Sequence, residues 1–196
     1  DKPLLQNLHD EETQNRFRNM LKPFYGVLKT MDRAIRFALL TGVTKFGKVS
    51  VFSDLNNLDD ISMREPYAAI CGITETELRT HFDEDIHTLA SALERTYEEA
   101  RSLLRKRYDG YHFVAGGPGI YNPFSLLNTF KYMWLSDYWF ETGTPTYLVE
   151  LLKRTNYDLY DMANTETDAD VLNSIDSASN NPIPVIYQSG YLTIKD

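Results

Sequence analysis

The sequence predicts a mainly α-helical protein with a small α/β portion near its start. Apolar residues recur at spacings of three and four between Phe17 and Leu28, and again between Ile86 and Leu104, as on one face of a helix. A short apolar run that starts near Ile35 is followed by Gly, Thr and Lys, which is typical of a buried, parallel strand. Hydrophobic residues make up 42% of the chain, enough for a packed core.

Composition limits the functions to consider. The chain has 196 residues, a net charge of −8 and one cysteine, Cys71. An acidic chain is a poor non-specific binder of nucleic acid or anionic membranes, and a lone cysteine cannot form an internal disulfide. There is neither a membrane-spanning apolar run nor a signal-peptide pattern in the sequence. We therefore expect a cytoplasmic setting.

The first predicted helix begins after Asp10, which can cap it, and Pro23 predicts a kink or a break within it. The predicted strand near Ile35 follows after a short turn. A helix followed by a strand is half of a βαβ unit, so the preceding strand is expected upstream of Asp1. Because the chain also lacks an initiator Met, we expect it to be part of a longer protein.

The strongest helical pattern comes later in the chain. The residues from Thr74 to Glu77 fit a capping box for a short helix. A single long helix is then predicted from Asp83 to Arg107, because its start is acidic, its end is basic and its apolar face is continuous. Gly110 is suited to a left-handed position just beyond its end.

The remaining elements are shorter. Residues 112–121 predict a small hairpin or ordered loop, and Asn122 followed by Pro123 predicts a capped helix start. A short helix is expected at about 145–154, a helical turn at 182–188 and a strand at 191–194. One aromatic group fits buried core better than a platform for stacking nucleic-acid bases: Trp134, Tyr138, Trp139 and Phe140.

The residues from Gly42 to Lys48 spell G-x-x-x-x-G-K, the start of a phosphate-loop motif. Val49 stands where that motif needs Ser or Thr, and no strong helix follows. We therefore interpret the stretch as a strand end whose Thr41 and Thr44 face a nucleotide held elsewhere. A capped strand end without a ligand is the alternative.

Tyr108-Asp109-Gly110-Tyr111 has two interpretations. Asp109 with the nearby Arg105 and Arg107 can form a charged site that faces a nucleotide or another domain. Alternatively, the motif is a helix stop with two aromatic residues in the core. The four histidines lack the spacing of metal ligands relative to one another, and no metal site is predicted.

Several blocks of the chain, taken together, resemble the bacterial AAA-ATPase-like family, and the resemblance covers essentially the whole sequence. The opening Asp1-Lys2-Pro3-Leu4-Leu5 is similar to the sequence that follows that family's acidic Walker B strand. The other blocks are Thr41 to Phe46, Phe52 to Leu58, Tyr108 to Tyr111, Tyr121 to Ser125, Tyr138 to Pro145 and Ser189 to Thr193.

The resemblance implies a fold in two parts. Residues 1–62 would form the carboxyl-terminal part of a P-loop NTPase core. Residues 63–196 would form a helical lid and the start of a winged-helix-like region. The family's Walker A loop and most of its Walker B strand would lie upstream of Asp1. In many relatives a restriction-nuclease-like domain follows, and this sequence does not contain one.

The resemblance also implies a nucleotide site. Asp1 would be the last acidic residue of the Walker B neighbourhood, and Thr41 and Thr44 would occupy the sensor position that orients the attacking water or contacts the γ-phosphate. The residues expected to contact the cofactor are Lys45, Arg107 and Asp109. ATP and Mg²⁺ would bind to the intact protein, whereas this piece alone is not expected to hold them tightly or to hydrolyse ATP.

Two other functions remain open from the sequence. The helical part can be a module that binds a partner protein or DNA, with the nucleotide gating that binding. The core can also be a non-hydrolysing scaffold. No membrane partner is expected, and the sequence leaves the oligomeric state undetermined.

Overall fold

The computed structural model describes residues 7, 10–42, 57–139, 149, 152–153, 166–172 and 181–195. Helices dominate these residues, and one two-stranded sheet accompanies them. The predicted mainly helical class is therefore confirmed. The helices are α1 (Glu11–Thr30), α2 (Glu75–His81), α3 (Asp83–Ala92), α4 (Tyr97–Tyr108), α5 (Pro123–Tyr132), α6 (Ala169–Leu172) and α7 (Ile183–Gln188). The strands are β1 (Ile73–Thr74) and β2 (Ile120–Tyr121), and 3₁₀ turns cover Asp32–Ala34 and Glu65–Tyr67.

The chain divides into two compact units. The first comprises Asp1–Asp60 and Pro145–Tyr191, and the second comprises Ile61–Thr144 and Leu192–Asp196. The division at residues 62 and 63 into a core part and a lid stays a prediction.

Helix α1 of the first unit forms as the sequence predicts, and Pro23 lies inside it without ending it. Asp10 caps the helix, because its carboxylate accepts a hydrogen bond from the backbone N–H of Thr13 at 3.0 Å. Met20 and Phe24 on this helix are exposed. Elsewhere in the unit, α7 is largely buried, and the side-chain amide of Gln188 donates to the carbonyl of Leu172 in α6 at 2.9 Å.

The predicted buried strand near Ile35 is wrong for the residues that the structure describes. Residues 35–42 belong to no helix or strand. The side chains of Phe37 and Leu39 are 79% and 56% exposed. A parallel strand forms only when neighbouring strands complete its hydrogen bonds, and within the described ranges nothing pairs with this segment. An apolar run indicates only that a segment favours burial. It does not indicate which strands would pair with that segment.

The described part of the second unit is built around an apolar cluster. The cluster contains fully buried side chains from four helices and one strand, including Leu78, Ile86, Leu104, Tyr121 and Leu126. The short antiparallel sheet joins the start of α2 to the start of α5, with Ile73 opposite Tyr121. Burial of these side chains supplies the main driving force for this unit.

The single long helix predicted from Asp83 to Arg107 is wrong, because it is two helices. Helix α3 ends at Ala92, and α4 begins at Tyr97 after a turn in which Glu94 has a φ of 53°. Thr96 and Glu99 form a second capping box at the start of α4. Thr96-x-x-Glu99 is the sequence signature of that box, so a local signal for the break was present.

The other helix boundaries agree with the local signals. Thr74 and Glu77 form the predicted capping box. The side chain of Asn122 accepts from the backbone N–H of Ser125 at 2.9 Å, with Pro123 in the first turn. Gly110 has a φ of 110°, in the region that favours glycine.

Three remaining predictions have different outcomes. The strand expected at 191–194 is not formed, since those residues are bends or irregular, whereas the helical turn before it is present as α7. Most of the helix predicted at 145–154 lies outside the described residues. Trp134 is 66% exposed, so its predicted burial is wrong, whereas Tyr138 and Trp139 are half-buried. In the part of the chain that the structure describes, no helix is both long and apolar enough to cross a membrane.

Candidate functional site

Three of the predicted site residues, Asp1, Thr44 and Lys45, lie outside the described residues. Thr41 is described and lies exposed in the irregular segment that follows α1. The roles assigned to these residues at a nucleotide site stay predictions.

Arg107 and Asp109 lie in different surroundings. Arg107 pairs with Asp137, with its terminal nitrogen 3.2 Å from the carboxylate. Both side chains are well exposed, at 41% and 71%, so this ion pair is weak and easily exchanged. Asp109 pairs with Arg105 instead, and only 14% of its side chain is exposed. The predicted charged group of Asp109 with two arginines is therefore found with Arg105 alone.

A cleft of about 520 Å³ lies within the second unit, beside the end of α4. One side comes from the junction of β1 and α2, and the opposite side comes from the loop between α4 and β2. Charged, hydroxyl and imidazole groups line it together with small loop residues: Thr74, Glu75, Thr76, Arg105, Asp109, Gly110, His112, Pro118 and Gly119.

Asp109 is held at the point where α4 ends. Its Oδ1 accepts a hydrogen bond from the backbone N–H of Gly110 at 2.7 Å, and its Oδ2 lies 3.5 Å from Nε of Arg105. The Arg105 side chain is 68% exposed. A Cβ at Gly119 would lie only 3.0 Å from Oδ1 of Asp109, so glycine allows the loop to approach the carboxylate closely. The carboxylate is thus positioned firmly, while its cation is held loosely.

Glu75 is held from two directions on the opposite side. Its Oε1 is 2.9 Å from Nε of Arg101, and its Oε2 accepts the hydroxyl hydrogen bond of the buried Tyr121. Burial raises the pKa of Tyr121 far above its usual range, and the hydrogen bond to Glu75 and the charge of Asp109 raise it further. Tyr121 therefore remains a protonated donor, and both carboxylates act on the same hydroxyl.

His112 is oriented by two hydrogen bonds. Its backbone N–H donates to Oγ1 of Thr193 at 2.6 Å, and its Nδ1 lies 3.0 Å from the carbonyl oxygen of Gly117. A carbonyl oxygen only accepts, so Nδ1 carries the proton. In the neutral ring, Nε2 is then an acceptor, and it lies on the side of Gly119 within the cleft.

Sequence reasoning missed Glu75, His112 and Thr76 as site residues. In the sequence, Glu75 falls within a predicted capping box, and His112 lacks metal-ligand spacing to the other histidines. One signal was available, because His112 directly follows the Tyr108 to Tyr111 motif that contains Asp109. Within the described ranges, no group of three His, Cys, Asp or Glu side chains is arranged to hold a metal ion.

Comparison with known proteins first indicates a class. Residues 1–52 match the model of the AAA-ATPase-like family, described as "Predicted AAA-ATPase". The resemblance inferred from the sequence blocks is therefore confirmed for this part of the chain. The cleft of the second unit lies outside the matched residues.

A bacterial relative covers nearly the whole chain. It is described as "Uncharacterized protein in vnfD 5'region" from Azotobacter chroococcum mcd 1, and it is 39% identical over 194 residues. The match includes 99% of this chain and 35% of the relative, so the chain spans about a third of the relative's length. No solved protein structure matches the chain.

Proposed function

We propose that this chain is part of an AAA-type ATPase, in which its first residues complete a nucleotide-binding core. The observation that carries the proposal is the match of residues 1–52 to the predicted AAA-ATPase model. In the proposal, Asp1 belongs to the acidic end of the Walker B strand, and Thr41 and Thr44 act as sensors that orient water or contact the γ-phosphate. Lys45 lies beside them and contributes positive charge to the phosphates.

The second unit is the lid in this proposal. Its separate apolar core supports such a role, because a lid has to move as one body when nucleotide binds or is hydrolysed. Arg107 is the lid cation that we assign to the phosphates, since its pairing with Asp137 is solvent-exposed and costs little to exchange. Asp109 repels phosphate, so a role for it at the nucleotide would be toward ribose hydroxyls or Mg²⁺. The intact ATPase would bind ATP and Mg²⁺. The same proposal includes a winged-helix-like part and a restriction-nuclease-like domain, which the resemblance implies for the intact protein.

ATP hydrolysis by the intact protein that contains this chain tests the proposal. We expect the Thr44→Ala variant to lose about tenfold or more of kcat while its Kd for ATP changes less than about threefold, because a sensor positions the reaction rather than binds substrate. Thr88→Ala is the matched control, since Thr88 is an exposed helix residue whose hydroxyl donates to the carbonyl of Glu84 on the same helix. The control should retain full activity.

The outcomes separate the alternatives. Absence of ATP binding by the intact wild-type protein would contradict the nucleotide function altogether. Tight ATP binding without turnover would instead favour a non-hydrolysing scaffold. An equal loss of kcat in the Thr88→Ala and Thr44→Ala variants would contradict the assignment of Thr44 as a sensor.

An interaction module is the second candidate, and it rests on exposed apolar side chains of the second unit. Phe124, Leu127 and Trp134 are 48%, 50% and 66% exposed. Such a surface suits a protein partner better than DNA, because the chain has a net charge of −8. Titration of a fluorescent DNA duplex with the 196-residue chain separates the two partners. Salt-sensitive DNA binding in the micromolar range or tighter would favour DNA.

A further inference from the structure

The cleft at the end of α4 is lined by hydrogen-bond acceptors and a cation that the packing of the helical unit does not require. The carboxylates of Glu75 and Asp109 are acceptors, and Nε2 of His112 is a third acceptor in the neutral form of the ring. Among the described residues that line the cleft, Arg105 supplies a cationic side chain, and Arg101 pairs with Glu75 from outside that lining. Glu75 already pairs with Arg101 and Asp109 with Arg105, so a phosphate group would meet two carboxylates whose charges are each offset by one arginine. A cation with several N–H donors would meet complementary groups.

We propose that this cleft binds a guanidinium group, held between the carboxylates of Glu75 and Asp109 with Nε2 of His112 as a further acceptor. The volume of about 520 Å³ lies within the range of roughly 300–1,000 Å³ that is usual for small-ligand sites. A planar guanidinium has five N–H donors in a fixed fork, which matches carboxylate oxygens better than the point charge of an ammonium group does.

The protein's own arginines support the choice of cation. Arg101 reaches Glu75 through Nε at 2.9 Å, which shows that a guanidinium fits this carboxylate from one side. Arg105 comes no closer to Asp109 than 3.5 Å, from Nε to Oδ2, and 68% of its side chain is exposed. A carboxylate that is 14% exposed thus has a loosely held partner. A ligand guanidinium can replace Arg105 at little cost, because exposed ion pairs contribute little to stability.

The acceptors are already oriented before a ligand arrives. The hydroxyl of Tyr121 positions Glu75, the N–H of Gly110 positions Asp109, and the carbonyl of Gly117 sets the tautomer of His112. Preorganised groups lose little conformational entropy on binding, which favours affinity. The inference concerns the second unit alone and does not rest on ATP chemistry.

Two-dimensional NMR titration of the 196-residue chain tests the proposal with ethylguanidinium, and with ethylurea as its neutral isostere. We expect saturable shifts at the amides of Gly110, His112 and Gly119 with ethylguanidinium and none with ethylurea. Asp109→Asn keeps the acceptor for the Gly110 N–H and removes the charge, so it should weaken binding by about tenfold. Arg105→Gln removes the internal competitor and should strengthen binding by about threefold.

Lys106→Gln is the matched control, because Lys106 is an exposed cation on the same helix that does not line the cleft. Its binding should equal that of the wild type. A purely structural role for Arg105 predicts no gain in affinity when it is replaced, so the strengthened binding is the distinguishing readout.

A second experiment distinguishes a guanidinium on a partner chain from a small free cation. A short peptide Gly-Gly-Arg-Gly-Gly is compared with the same peptide that carries citrulline in place of arginine. Binding more than about tenfold tighter than that of ethylguanidinium would indicate a partner chain, and equal binding would indicate a small free cation. Equal shifts with ethylurea or citrulline, or no shifts at all, would overturn the proposal. Shifts of the same amides by ATP or inorganic phosphate instead would also overturn it and would favour a nucleotide role for Asp109.

Discussion

The hydroxyl of Tyr108 joins three parts of the second unit, and its removal should be costly. Tyr108 is 8% exposed and lies at the end of α4. Its hydroxyl donates to the carbonyl of Ser136 at 2.8 Å, and it accepts from Oγ1 of Thr129 at 2.9 Å and from the N–H of Ser136 at 3.1 Å. Thr129, on α5, is fully buried. The Tyr108→Phe variant would leave all these groups without their partner, and the fully buried Thr129 hydroxyl would also lack access to water.

The expected magnitude follows from the three bonds. A neutral hydrogen bond contributes about 1 kcal/mol, and an unsatisfied buried partner costs about 1–3 kcal/mol. Ser136 is half-buried and can regain water, so we expect Tyr108→Phe to lower the free energy of unfolding by about 2–4 kcal/mol. Adding Thr129→Val removes the stranded hydroxyl as well. The double variant should therefore be more stable than Tyr108→Phe alone by roughly 1 kcal/mol.

Urea unfolding followed by tryptophan fluorescence measures this effect. Both tryptophans of the chain, Trp134 and Trp139, belong to the second unit, so their fluorescence reports its unfolding. Tyr97→Phe is the control with the same chemistry, because the Tyr97 hydroxyl donates to the exposed Asp83 at 2.7 Å, where water can replace it. The control should cost less than about 1 kcal/mol. Equal costs for the two Tyr→Phe variants, or no recovery in the double variant, would refute the reasoning.

Three further predictions concern stability. Gly72→Ala should destabilise the second unit by about 1–3 kcal/mol in the urea assay, because the new Cβ would lie 2.2–2.8 Å from side-chain atoms of a buried isoleucine; wild-type stability would show that the loop yields freely. Leu104→Ala should lower the free energy of unfolding by about 2–5 kcal/mol, since Leu104 is fully buried, and Leu103→Ala should lower it far less, since Leu103 is 37% exposed. Similar losses in the two variants would contradict the assignment of Leu104 to the buried face of α4. The pKa of Glu77 is lowered, first by the N–H of Thr74 and then by its hydroxyl, so its stabilisation is present above pH 4.5 and is lost at lower pH. The stability difference between wild type and Thr74→Ala should therefore narrow from pH 6 to pH 3, and a constant difference would contradict this linkage.

The candidate site could be predicted only in part. Asp109 was recognised from its motif, together with Arg105, because both lie at one helix end and i,i+4 residues share a face. Glu75 lies far away in the sequence. It reaches the cleft because β1 pairs with β2 and the Tyr121 hydroxyl holds its carboxylate. No local pattern encodes that pairing. The pairing of Arg107 with Asp137 rather than with Asp109 likewise depends on the loop that follows α5.

The helical class and most helix ends follow from local sequence signals. Asp10, Thr74, Asn122 and Gly110 act through hydrogen bonds or dihedral angles within three or four residues, so their effect can be read locally. Tertiary structure alone decided the exposure of the apolar run near Ile35 and the assembly of the cleft. Strand formation and the meeting of distant side chains depend on long-range partners, and a local apolar pattern states only that a segment favours burial.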